Sequence, residues 1–245
     1  MAHMTTPGDL DVDAVLEILE AIHLDEVPDP NEPLRQRKKR RVRQQISNRA
    51  TAMFLRHGFD NVTVAQIAAA CELSEQTVFN YFPTKESMFF DRSEAMIDAM
   101  ADAVRERGPA PLVEAVVQSL GGEIRPGRWK ALDEAGQLRL FRLFCDAATS
   151  SPTLVAAQFA DLPRFIDAVS TALAQRIGAN PIDPEVQLTT LVIAGLLRVR
   201  LRSTFHHIQQ ATSIAALNDA VRHDILRAAQ LAEPTLTAFD NLKRS

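Results

Sequence analysis

Two cysteines in 245 residues leave no material for a disulfide framework, and neither has the Cys/His spacing of a zinc finger. Both Cys71 and Cys145 fall in segments with helical patterning, so we expect two buried, reduced thiols. Glycine is also scarce, at nine residues. None of these builds a phosphate-cradling loop, and Gly-x-Ser-x-Gly and His-Glu-x-x-His are both missing. No uninterrupted apolar run of about 18 residues could cross a membrane. The acidic N-terminal stretch has the wrong sign for a secretory leader, which makes a cytoplasmic location the expectation. There is no internal repeat and no alternation of strand type. What is left is an all-α chain without a recognisable catalytic set, cofactor motif or metal site. Its 46% hydrophobic content is enough to build a substantial core.

The formal net charge of −4 hides a strong partition. Residues 1–33 carry nine acids and no Lys or Arg; residues 34–92 carry eleven basic residues against five acids; the remainder is nearly balanced. Where charge sits decides the local field, so the basic middle matters more than the total. The acidic extension places Val12, Val15, Leu16, Leu19 and Ile22 on one face of an amphipathic helix over 10–24. Pro28, Pro30 and Pro33 then form an extended linker. A helix of about 15 residues is marginal alone, so it either docks on the protein body, where its charge would weaken the field of the adjacent cations, or stays an unstructured tail.

Between Arg35 and Arg43 lie seven basic residues and no acid. This reads as a cationic arm leading into a helix over about 40–57 that Gly58 closes. Thr63 then caps a short helix, with Gln66 completing a capping box. Glu72, Leu73 and Ser74 make a turn, and Ser74 caps a second short helix ending at Phe82-Pro83. Two short helices across a three-residue turn have the spacing of a helix-turn-helix, and a cationic lead-in suits a polyanion. With Val78, Phe79 and Phe82 turned inward, the outer face would hold Glu75, Gln76, Thr77, Asn80 and Tyr81. Gln and Asn can pair with adenine, Thr can touch a thymine methyl, and Ser74 and Tyr81 hydroxyls can grip phosphates. The arm residues Arg37, Lys38, Lys39, Arg40, Arg41 and Arg43 would add affinity with little sequence preference. The expected partner is double-stranded DNA.

Further helices are expected over 85–107, 111–120, 128–149, 152–161 and up to 177, then 184–209 and from 213 to before Pro234. The helix over 184–209 is apolar on nearly its whole circumference, which fits either a core on one side with a second subunit on the other, or a central core helix in a monomer. His206 and His207 point about 100° apart on a helix and make poor co-ligands, so we read them as helix-end or interface groups.

The segment Arg43-x-x-Ile46, Ala50, Met53-Phe54, His57-Gly58-Phe59, Thr63-Val64, Ile67-Ala68, Cys71-Glu-Leu-Ser74, Thr77-Val-Phe79, Tyr81-Phe82-Pro83 and Lys85-Glu86 resembles the TetR family of bacterial transcriptional repressors. The spacing from Gly58 to Lys85 matches without a gap, and the resemblance covers roughly residues 40–90. It implies a three-helix DNA-binding domain, a helical ligand-binding domain, and dimerisation through the last two long helices. By position, Thr63, Tyr81 and Lys85 would contact phosphates, and Glu75 to Asn80 would approach bases. Two positions depart from the family. Glu72 stands where glycine is usual, so a left-handed turn there would be strained by roughly 1 kcal/mol. Phe79 stands where tyrosine is common, so a hydroxyl contact is lost.

The domains expected are an acidic extension at 1–33, a basic arm and helix-turn-helix at 34–90, and a helical ligand-binding and dimerisation domain at 91–245. A homodimer would use Leu191 and Leu197. A small, largely apolar effector would sit among Met96, Met100, Trp129, Phe141, Phe144, Phe159 and Phe165. The alternatives are a DNA-binding protein without an inducer, and a helical enzyme or carrier whose basic run is incidental.

Overall fold

A computed structural model of the chain describes residues 33–91, 93–122 and 132–242. The acidic helix over 10–24, Pro28, Pro30 and Trp129 lie outside these residues. Among the described residues all regular structure is helical, and no helix is long and apolar enough to cross a membrane. The chain forms two compact units. One contains residues 33–91 and 132–157, the other 93–122 and 158–242. Residues 132–157 group with the N-terminal helices, so neither unit is one continuous stretch of chain.

The first unit begins with α1 (Leu34–His57), followed by a 3-10 turn (Phe59–Asn61), α2 (Val64–Ala70), α3 (Glu75–Tyr81) and α4 (Lys85–Phe89). It is completed by α7 (Glu134–Ser150) and α8 (Pro152–Ala157). The basic stretch is therefore no extended arm: Arg35 to Arg43 form the first turns of α1. Gly58, at φ 83 and ψ 141, ends α1 in a conformation reserved for glycine, its N–H donating to the Phe54 carbonyl. The core joins Phe54 of α1, Phe59 of the turn and Phe89 of α4, with Phe54 and Phe59 ring centres 4.8 Å apart. Phe144 of α7 stacks on Phe89 at 4.3 Å, and Leu132 and Leu140 pack on Ala52.

The turn between α2 and α3 is built by local hydrogen bonds. Thr63 and Gln66 form the expected reciprocal capping box at the start of α2. At its end, Leu73 N–H donates to the Ala68 carbonyl (2.9 Å) and Glu72 N–H to the Ala69 carbonyl (3.1 Å). This is the paired bonding of a Schellman turn, which needs a left-handed residue in the middle. Glu72 takes that role at φ 57, the one positive φ of a non-glycine among the described residues.

The second unit contains α5 (Ser93–Glu106), α6 (Leu112–Leu120), α9 (Leu162–Ile177), α10 (Pro184–His207) and α11 (Ile214–Leu242). One continuous helix over 85–107 is not formed, because α4 and α5 are separate. α11 also does not stop before Pro234, which sits inside it. A proline there costs about 3 kcal/mol in an isolated helix. Here the last turns are held by buried Leu236 and Phe239, and by Asp240, which accepts bonds from Arg107 and the Leu112 N–H. Pro234 itself is exposed.

Basic side chains close several helix ends in this unit. Arg200 donates to the carbonyls of Leu120 (2.6 Å) and Gly122 (3.3 Å), and Arg176 to those of Arg105 and Gly108. Cations on orphan carbonyls also complement the helix dipole. Burial lowers the Arg200 pKa from its ordinary value. His207 and Ser203 of α10 both bond the Asp224 carboxylate of α11, at 2.8 and 2.7 Å. The Ser203 hydroxyl, then His207, hold that carboxyl below the usual range.

Replacing Glu72 by glycine removes the left-handed strain, offset in part by the greater freedom of glycine in the unfolded chain. The variant is expected to gain about 0.5–1 kcal/mol in urea unfolding of the first unit. A loss of stability would show that the Glu72 side chain contributes more than the strain it causes.

Candidate nucleic-acid interface and cavity

α3 buries one stripe and exposes the rest. Val78 and Phe82, four residues apart, point into the core and have no measurable exposure. Ser74 caps α3 by accepting from the Thr77 N–H, and its hydroxyl lies 2.8 Å from the Thr77 hydroxyl. Glu75, Gln76 and Asn80 are exposed, and Gln76 donates to the Asn80 side chain at 3.2 Å. Thr77 and Tyr81 are half-buried. Phe79 joins the outer face at 42% exposure and is not core. A seven-residue helix has one inward stripe, and position 79 lies about 100° from Val78.

The expected phosphate ligands divide into two groups. Lys38, Lys39 and Arg41 are exposed on α1, and Arg37 and Arg40 are half-buried. Thr63 is exposed at the start of α2. Arg43, by contrast, is committed within the protein. Its guanidinium donates to the Tyr81 carbonyl (2.6 Å), pairs with Asp91 (2.8 Å) and lies 4.2 Å from the centre of the Phe82 ring. Lys85 is engaged in the same way, with Nζ donating to the carbonyls of Phe59 (2.9 Å) and Val62 (3.0 Å) over the Phe59 ring. Both residues position the helices that carry the outer face, as charge-assisted caps and cation–π contacts. Sequence alone does not separate a cation that caps a helix from one that faces solvent.

The residues expected to line an effector site are also divided. A cavity of about 240 Å³ lies inside the second unit, and Met96, Phe159 and Phe165 line it. Phe141 and Phe144 do not; they belong to the aromatic core of the first unit. Met100 is buried but is not part of the lining. Leu197, expected at a subunit interface, is only 6% exposed and lines the cavity together with Ile97 and Leu201. Gln158, Asp161 and Arg198 supply its polar groups. No helical pattern marks these residues, because they converge from three helices and the segment preceding α9. Leu191 remains on the surface at 54%, beside Leu188 at 57%.

Both thiols are buried and unpaired. Burial raises the pKa of Cys71, and pushes Cys145 up to about 12 with the Asp146 charge adding to it. Neither is a thiolate near neutral pH, so neither offers nucleophilic chemistry. Among the described residues no group of His, Cys, Asp and Glu could hold a metal ion.

If Arg43 positions α3, Arg43→Met should accelerate amide hydrogen exchange across residues 75–82 by about tenfold or more, the loss of charged hydrogen bonds being worth roughly 1.5–3 kcal/mol. Lys38→Met should leave that exchange unchanged. Equal exchange in the two variants would mean that Arg43 is a surface cation like its neighbours.

Residues 46–91 match the family model described as bacterial regulatory proteins, tetR family. Over 119 residues the chain is 36% identical to the HTH-type transcriptional regulator TcmR of Streptomyces glaucescens, covering 46% of this chain and 53% of that protein. The match thus spans about half the length of that relative. Two crystal structures are similar at low identity. One is a tetR-family transcriptional regulator from Streptomyces coelicolor (18% identical, 82% of this chain and 89% of that one, TM-score 0.40). The other is the TetR-family regulator PfmR from Thermus thermophilus (16% identical, 77% and 95%, TM-score 0.35). Likeness at this level does not extend to residue roles.

Proposed function

We propose that this chain is a transcriptional regulator of the tetR family, a reading supported by the match of residues 46–91 to that family's model and by the 36% identity to TcmR. In this reading a dimer represses transcription from a palindromic operator and is released when a small, largely apolar molecule fills the cavity. The observation that carries the DNA part is the outer face of α3. Glu75, Gln76, Phe79 and Asn80 lie exposed together on a short helix whose inward stripe and both ends are tied down. Two of these side chains are the amides that pair with adenine, and the aromatic ring matches the methyl of thymine. Thr63 and Tyr81 would meet phosphates at either side.

The cations of α1 fit the same reading energetically. They crowd the positive end of a helix with no acid in its first turn and no side-chain cap at Pro33. Helix dipole and mutual repulsion both oppose helical structure there in the free protein. Phosphates would relieve both, so Lys38, Lys39 and Arg41 would serve affinity and α3 would serve specificity.

Dimerisation is supported by leucines left exposed on the last two helices. Leu188 and Leu191 are exposed on α10, and Leu226 and Leu231 on α11. A two-fold pairing of these helices would set two copies of α3 about one DNA turn apart, roughly 34–36 Å. Release by the ligand requires only that it bind the wrong spacing more tightly than the right one.

Duplexes selected from a random pool should be palindromic. Lys38→Ala with Lys39→Ala should then flatten the salt dependence of binding and leave the preferred sequence intact. Gln76→Ala or Asn80→Ala should relax preference by about 1–3 kcal/mol per base contact. Replacing operator thymines by uracil should weaken wild type but not Phe79→Ala. No sequence preference in wild type at any salt concentration would refute the reading.

Leu191→Arg should sediment as a monomer and lose operator binding, because both half-sites must be held at once. Leu197→Arg should instead unfold the second unit, since that side chain is buried in its own core. A Leu191→Arg monomer with wild-type operator affinity would rule out the dimer.

A further inference from the structure

We infer that the cavity of the second unit takes a flat, apolar ligand of one or two rings carrying a single anionic group, with Arg198 as its counter-charge. This rests on the proposed role of the cavity as an effector site, and names the chemistry of its occupant. At about 240 Å³ the space is slightly smaller than a site for a drug-sized molecule. Phe159, Phe165, Met96 and Leu197 give it aromatic and apolar walls, suited to a ring system.

The charges at the lining are unequally matched. Asp161 has Arg164 at 3.6 Å. Arg198 lies over the Phe159 ring, with its guanidinium carbon 5.5 Å from the ring centre. Among the described residues it has no carboxylate within salt-bridge distance. Arg198 is an exposed residue of the lining, and the ring holds the cation there without neutralising it. A ligand that covers the guanidinium removes part of its water, and a counter-charge on the ligand offsets that loss. A carboxylate or phenolate supplies one, and the carboxylate also matches the guanidinium fork in two parallel bonds. A cationic ligand would find the Phe159 face taken and would compete with Arg164 for the Asp161 carboxylate.

Three probes that share the naphthalene ring and differ in the charge of a small substituent separate the possibilities by calorimetry on the full chain: 2-naphthoate, 2-naphthalenemethanol and 2-naphthylmethylammonium. Wild type is expected to bind naphthoate roughly tenfold or more tightly than the alcohol, with the ammonium weakest. In Arg198→Met the preference for naphthoate over the alcohol should vanish while the alcohol binds as before, showing that the cavity is intact. Arg198→Lys should restore part of the preference. The assignment is overturned if the alcohol or the ammonium binds best, if the preference survives in Arg198→Met, or if none of the three binds. Operator binding measured with and without naphthoate tests the effector role separately. Naphthoate held through Arg198 with no effect on DNA would defeat that role and leave the ligand class standing.

Discussion

The outer face of α3 is useful only if α3 is held still, and the interaction that holds it is the Arg43 guanidinium. From α1 it reaches the last carbonyl of α3, the Phe82 ring behind it and Asp91 at the end of the first segment. A helix of seven residues is too short to be stable alone. α3 therefore takes its form from what caps it: Ser74 at the start, Arg43 at the end, and Val78 and Phe82 beneath. Lys85 does the same for the 3-10 turn before α2. Such charge-assisted caps replace the hydrogen bonds that short helices cannot make for themselves. In the second unit, Arg176 and Arg200 cap α5 and α6 likewise.

Local chemistry was legible in the sequence, and long-range partnership was not. The Thr63–Gln66 capping box, the Ser74 cap, the Gly58 stop and the left-handed Glu72 each depend on residues within a few positions. Their side chains state their own geometry. Phe79 was misread because apolar character alone does not say which side of a short helix is inward. Arg43 and Lys85 were assigned to phosphates because their charge is visible and their carbonyl partners, 38 and 26 or 23 residues away, are not.

The residues expected around an effector show the same limit. Phe141 and Phe144 have the apolar bulk of a cavity wall, yet they complete a core begun by Phe89 in the first unit. Pro234 marks a helix end by local rules, but Asp240 and Phe239 hold the chain helical beyond it. Met96, Phe159 and Phe165 stand out in the sequence by their apolar bulk, whereas Arg198 is one of several cations on its helix, set apart by its place over Phe159 rather than by any spacing.

The proposed division of labour gives the cations of α1 affinity and the outer face of α3 sequence preference. It ties the exposed Phe79 to bases rather than to the protein core. Photo-crosslinking tests this most directly: benzoylphenylalanine in place of Phe79, on a duplex selected by the wild-type protein. The account predicts crosslinks to one or two bases in each half-site, on the major-groove side. Crosslinks confined to protein, or spread evenly along the duplex, would contradict it.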